Sequence, residues 1–208
     1  MAIDAVCIST GVIFHNVQIN ENHPLISSDI KVYRNESIPA WALAAVHAGY
    51  SLTPFLLVPA DALRHFRGAW FAASVNYALY STTASLAGRK RPNYDDALAR
   101  GEKAEKRSFY SGHTMSSFCS AAYMSLYIKD HIKSRPLKII LPAVMFSYAG
   151  YVGYTRYNEH FHHISDVLAG GAAGALVTWY CYNLFQNKNR KVELSADLNS
   201  VKLIYKLF

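Results

Sequence analysis

Twelve consecutive residues, Thr155-Arg156-Tyr157-Asn158-Glu159-His160-Phe161-His162-His163-Ile164-Ser165-Asp166, hold one arginine, three histidines and two carboxylates, then run straight into the apolar stretch Val167–Trp179. A chain of this kind must build a polar site at the mouth of an apolar helix. With a helix beginning near Ile164, His162 and Asp166 stand four apart, on one face or at its mouth. The spacing predicts that the Asp166 carboxylate accepts the Nδ1–H of His162, fixes its tautomer and leaves Nε2 as a lone pair. An imidazole held that way is a base or a nucleophile. Arg156 lies six residues before His162, just ahead of the helix, where its fork of donors can clamp an oxyanion. Arginine, oriented histidine and carboxylate together describe phosphoryl transfer. Two other readings compete: His160, His162, His163 and Asp166 as zinc ligands, or an inert polar helix start. No HExxH or paired-cysteine spacing accompanies the histidines.

At 208 residues the chain can bury one sizeable core. It is 51% hydrophobic and 17% charged, with 15 Tyr and 10 Phe, which is more apolar and aromatic than an ordinary soluble domain. Its mean hydropathy of +0.04 is low for a protein made of membrane spans alone. The formal charge of +7 suits an anionic partner such as a membrane surface or phosphate esters. No basic-aromatic module points to nucleic acid. Cys7, Cys119 and Cys181 are far apart and lack CxxC spacing, so they suggest core packing rather than disulfides or zinc. The N-terminus shows no basic n-region with a small-residue cleavage site, so no signal peptide is read there.

Along the chain, residues 1–38 form an N-terminal segment, 39–186 a helical domain and 187–208 a tail. Pro39–Pro59 reads as a helix or kinked pair, and Gly68–Ala87 as a helix rich in Ser, Thr, Asn and Tyr. Arg89–Arg107 reads as a charged loop. Thr114–Lys129, Leu137–Gly153 (containing Pro142) and Ile164–Phe185 complete the helices. Three of these segments approach the ~20 apolar residues of a bilayer span, each with polar interruptions. Gly170 and Gly174 permit close helix packing. After Phe185 the alternation in Val192–Ala196 and Val201–Leu207 predicts a short β-hairpin. The fold class is therefore all-α, a bundle of about five or six helices with a C-terminal hairpin.

Two further stretches carry chemistry. In Ser108-Phe109-Tyr110-Ser111-Gly112-His113, Ser111 is a helix N-cap and Gly112 lets backbone approach a ligand. The helix start behind them is an anion site, and His113 stands beside it as a proton donor. On its own this stretch is an ordinary capped helix. Gly88-Arg89-Lys90-Arg91-Pro92 clusters three cations at a helix end, where the dipole favours positive charge anyway.

In order and spacing, Arg91-Pro92, Ser111-Gly112-His113 and Arg156…His162…Asp166 resemble the type 2 phosphatidic acid phosphatase and vanadium haloperoxidase superfamily. The resemblance covers roughly residues 70–185, and three ordered motifs are more specific than one. It implies an acid phosphatase/haloperoxidase-like bundle and a phosphatase acting on lipid phosphates, such as phosphatidic acid, isoprenoid pyrophosphate or lipid A. It implies His162 as the nucleophile, Asp166 as its orienting partner and His113 as the acid. Arg91, Arg156 and the backbone at Ser111 and Gly112 would hold the phosphoryl oxygens, with no metal or cofactor. It also implies a membrane-associated enzyme of bacterial envelope type, with an extracytoplasmic site. The pattern's lysine, seven positions before Arg91, falls on Ala84, which removes one phosphate cation. Neither Arg89 nor Lys90 shares a helical face with position 84. A vanadium haloperoxidase and a headgroup binder without turnover are the rival readings.

Overall fold

The computed structural model describes residues 7–10, 12, 37–102, 104–186, 192–197 and 200–205. Residues 7–10 and 12 are helical, and from Ala40 on the described residues form α1 Ala40–Leu57, α2 Pro59–Ala87, α3 Tyr94–Ala99, α4 Gly112–His131, α5 Arg135–Asn158 and α6 Ile164–Gln186. The body of the protein is all-helical, as the periodicity predicts. Beyond it, the backbone of Val192–Asp197 runs antiparallel to that of Ser200–Tyr205.

The helix boundaries differ from the expected ones for local reasons. The Pro39–Pro59 segment is α1 followed by a break at Val58, whose extended backbone stops the helix, while Pro54 lies inside it. α2 then starts at Pro59, nine residues before Gly68, because proline at the first position and Asp61 in the first turn suit a helix start. The charged loop contains α3, with Asp95 and Asp96 in its first turn. α5 runs on to Asn158, so Arg156 belongs to its last turn and not to a loop before α6.

α4 is the central helix, packed against α6, α5, α2 and α1. Its residues Cys119, Tyr123, Met124, Tyr127 and Ile128 meet Ala69 and Ala72 of α2 and Cys181 and Tyr182 of α6. Cys119 and Cys181 thus take the packing role expected of them. α4 and α6 approach closely because of two glycines. A Cβ at Gly170 would stand 2.6 Å from the Ser111 carbonyl oxygen, and one at Gly174 2.3 Å from that of Met115. Both neighbours are backbone and cannot swing aside, so the contact brings the start of α4 against the start of α6. Among the described residues, three helices (α1, α5 and the Ile164–Phe185 part of α6) are long and apolar enough to cross a membrane.

Gly174→Ala is expected to destabilise the purified protein by about 1–3 kcal/mol through overpacking. That lowers its melting temperature by about 2–4 °C per kcal/mol for a chain of this size. Gly150→Ala, with nothing within 4 Å of its added Cβ, is expected to be neutral or slightly stabilising. Thermal unfolding of the two variants beside the parent checks the difference.

Candidate active site

The site forms where α5 ends and α6 begins. The amides of Phe161 and His162 both donate to the Arg156 carbonyl at 3.1 Å, which curls the chain over the end of α5. This turn carries His162 inward, where it is 2% exposed. His162 Nδ1 lies 2.8 Å from the Ser108 carbonyl oxygen. A carbonyl only accepts, so Nδ1 carries the proton and Nε2 is left with its lone pair. The Asp166 carboxylate is 3.8 Å from the same nitrogen, in ion-pairing range but too far for a hydrogen bond. The orienting acceptor is therefore the Ser108 main chain, a correction to the direct His162–Asp166 bond that the spacing predicts.

Asp166 is fully buried and has three other partners. Arg89 Nη1 donates to Oδ1 at 2.5 Å, Ser108 Oγ donates to Oδ2 at 2.5 Å, and the His163 amide donates to Oδ2 at 3.0 Å. Arg89 also donates to Ser165 Oγ at 2.7 Å. Arg89 and Ser108 are the residues that sequence reasoning missed. The signal for Arg89 was its place in a run of three cations, but nothing in that run says which one turns inward. Lys90 turns the other way, with Nζ 3.7 Å from Asp95 and 4.5 Å from the Tyr94 ring centroid.

The phosphate-pattern arginines meet over one aromatic ring. The guanidinium carbon of Arg156 stands 4.2 Å from the Phe161 centroid and that of Arg91 5.8 Å. Glu159 lies 3.7 Å from Arg156, and Glu105 lies 2.8 Å from Arg91. His113 enters the same neighbourhood from the first turn of α4. Burial, with Arg156, His162 and Arg91 adding to it, pushes the His113 imidazole down to about 3. His162 is likewise pushed down to about 4 by burial, against the pull of Asp166, with Arg91 and Arg156 reinforcing the fall. Both rings are therefore neutral at pH 7.

Ser111 caps α4, accepting from Thr114 Oγ1 at 3.0 Å and from the Thr114 amide at 3.5 Å. Its own amide donates to the Asp166 carbonyl at 3.0 Å. That N–H is spent on the fold and cannot also hold a phosphoryl oxygen, a second correction to the sequence reading. The Gly112 amide, at the first helical position, has no intrahelical acceptor. Gly112 is also required sterically, since a Cβ there would lie 2.7 Å from Cζ of Tyr80.

Among the described residues, no three His, Cys, Asp or Glu side chains gather as a metal-binding group. His160 ends α5 in left-handed backbone, φ 60°. His163 Nε2 donates toward the Lys90 carbonyl at 3.4 Å. A cavity of about 430 Å³ opens from His113 and Gly112 between α1, α2 and α4, lined mainly by apolar groups such as Leu43, Trp70, Tyr77 and Cys119.

Comparison with known proteins identifies the fold and the family. A solved transmembrane PAP2 type phosphatidylglycerolphosphate phosphatase from Bacillus subtilis has the same fold, with a TM-score of 0.57 over 91% of this chain and 80% of that one, at 17% identity. Residues 67–190 match the PAP2 superfamily, and the chain belongs to it. Lipid phosphate phosphatase 1 of Arabidopsis thaliana is 27% identical over 76% of this chain and 58% of its own length. Phospholipid phosphatase 2 of Bos taurus is 32% identical over 51% of this chain and 46% of its own length. The chain thus spans about half the length of these relatives.

The lowered histidine values make stability depend on pH in a definite direction. Each ring binds its proton less readily folded than unfolded, where its value is 6.5. The unfolded chain therefore takes up more protons below that pH. The stability is fully present above pH 6.5 and is lost as pH falls toward the folded values. His113→Gln removes one such group, so its melting temperature is expected to fall less than the parent's between pH 7 and pH 4.5. Parallel melting curves across that range read this out.

Proposed function

We propose that the protein is a membrane-embedded phosphatase that hydrolyses lipid phosphomonoesters through a phosphohistidine at His162. The observation that carries this reading is the Ser108–His162 contact: an imidazole with Nδ1–H held by a carbonyl, and Nε2 unprotonated beside two arginines and a second histidine. Nε2 attacks phosphorus, the P–N bond forms, and the bond to the ester oxygen breaks. Arg91, Arg156 and the Gly112 amide hold the equatorial oxygens, and such positioned charge is the main catalytic device for phosphoryl transfer. His113 is neutral in the empty pocket; the phosphate dianion settling among the cations supplies the counter-charge that raises it. It then protonates the leaving oxygen. In the second step His113 takes a proton from water as the water attacks phosphohistidine, and inorganic phosphate departs. Asp166, beside Nδ1, stabilises the positive ring of the intermediate.

The lipid substrate is supported by three independent features. The apolar cavity reaches His113, so a chain attached to the phosphate has somewhere to lie. The spans Ala40–Leu57, Arg135–Asn158 and Ile164–Phe185 present exposed apolar side chains, among them Leu56, Ile139, Val144, Leu168 and Trp179. The relatives bear the names lipid phosphate phosphatase and phospholipid phosphatase. Phosphatidic acid, isoprenoid pyrophosphate and lipid A all have the required phosphate-on-chain chemistry.

Charge at the join between α4 and α5 bears on the side of the membrane. α4 runs from the site to His131 and α5 returns from Arg135, so the short join between them lies at the opposite end. Lys129, Lys133, Arg135 and Lys138 cluster around that join. A short positive loop of this kind favours the cytoplasm, which is compatible with the extracytoplasmic site that the family resemblance implies.

The test is phosphate release by the detergent-purified protein from phosphatidic acid and from a chromogenic phosphomonoester. Turnover should persist in EDTA and be inhibited by orthovanadate. His162→Ala should abolish it, and Asp166→Asn should reduce it steeply, since it removes the charge that faces the positive ring of the intermediate and that holds Arg89 and Ser108 in place. A folded His162→Ala protein that keeps the parent rate would refute the nucleophile.

A further inference from the structure

The position where the family pattern carries a lysine, Ala84, is wholly buried in α2. Tyr80 stands one turn earlier on the same helical face, with its ring against Gly112. That face of α2 therefore looks onto the start of α4, where the proposed phosphate sits, and it brings no charge. A cation arrives there from another segment. The amide of Ser108 donates to the Arg89 carbonyl at 2.9 Å, and the amide of Arg91 donates to the Glu105 carbonyl at 3.2 Å. Residues 105–108 thus run alongside 89–91, and Arg107 lies in the same pair of segments as Arg91. Burial pushes the Tyr80 phenol up, while the charges of Arg91 and Arg107 both oppose that rise, so both act electrostatically on the same side chain.

Among the described residues, three of the four arginines around the site face a carboxylate. Arg89 faces Asp166, Arg91 faces Glu105 and Arg156 faces Glu159. Nε and Nη2 of Arg107 are buried and have no hydrogen-bond partner among the described residues. Arg107 as a whole is half-buried, and a guanidinium, which keeps its charge, gains when an anion reaches such unpaired buried donors. Of the described lysines of the same loop, Lys90 and Lys106 both lie toward the Tyr94 ring.

We propose that Arg107 supplies the phosphate-site cation that position 84 lacks. The charge has moved from α2 to the segment that enters α4, and the anion it awaits is the substrate's phosphate. This rests on the phosphatase reading above, and the experiment separates the two.

Arg107→Gln, Arg107→Lys, Lys90→Gln and the double variant Arg107→Gln/Ala84→Lys are compared for kcat/KM on phosphatidic acid. Binding of inorganic phosphate by isothermal titration is measured alongside. Removing one donor to a transferring oxyanion commonly costs ~10²–10³ in rate. Arg107→Gln is expected to lose about that much and to bind phosphate at least tenfold more weakly. Arg107→Lys should keep most of both, and Lys90→Gln should match the parent. Ala84→Lys should return at least tenfold to the glutamine variant. Where glutamine compromises folding, Arg107→Met beside Arg107→Lys gives the same contrast of charge lost and charge kept. Arg107→Gln within twofold of the parent in both measurements would overturn the proposal. So would a folded double variant with no recovery. A parent that releases no phosphate from any ester refutes the phosphatase reading, and the phosphate titration still decides the role of Arg107.

Discussion

The structure depends on one buried carboxylate. Asp166 has no solvent exposure, and an ion in that position is tolerated only with full compensation. Arg89 brings a charge from the end of α2, Ser108 a hydroxyl from the loop before α4, and the His163 amide a donor from the first turn of α6. The position at the start of α6 adds the favourable end of the helix dipole. Three segments distant in sequence are thereby tied to one pair of oxygens. The knot also sets the site: Ser108, held through its side chain by Asp166, offers its carbonyl to His162.

Packing and chemistry are coupled through that knot. Gly170 and Gly174 let α6 lie against α4 at backbone distance, which puts the Asp166 carbonyl within reach of the Ser111 amide. A side chain on either glycine would separate the helices and loosen the same junction that positions Gly112 and His113. Phe161 does comparable work on the other side. Its ring lies under Arg156 and near Arg91, giving two like charges a shared apolar and π surface while each keeps a carboxylate nearby. On the proposed reading, the donors are held in place before a phosphate arrives, which leaves little reorganisation for the moment of reaction.

Much of this was legible in the sequence. The apolar periodicity located the helices, and the three ordered motifs located the family, because both are properties of side-chain type and spacing. The Ser111 cap of α4 followed from the same local rules. What was illegible involved main chain and choice among equals. The acceptor for His162 is a carbonyl, which every residue possesses, so no side chain announces it. The same holds for the Ser111 amide, whose partner is the Asp166 carbonyl. Arg89, Lys90 and Arg91 are chemically similar neighbours, and only the turn after Gly88, with φ 59°, decides that Arg89 points at Asp166 and Lys90 at Asp95. Arg107 stood unremarked at the end of a charged loop. Its significance comes from burial and from the absence of an acceptor among the described residues, neither of which has a local signature.

The central claim is that His162 Nε2 makes a covalent bond to phosphorus. The most direct measurement is rapid acid-free quenching of the enzyme during turnover of a lipid phosphate, followed by peptide mapping by mass spectrometry. The account predicts one phosphoryl group on the peptide carrying His162, labile in acid and stable in alkali, that disappears when substrate is exhausted. A phosphoryl group on any other residue during turnover, or steady turnover with water attacking directly and no phosphoenzyme even in a variant slowed at His113, would contradict it.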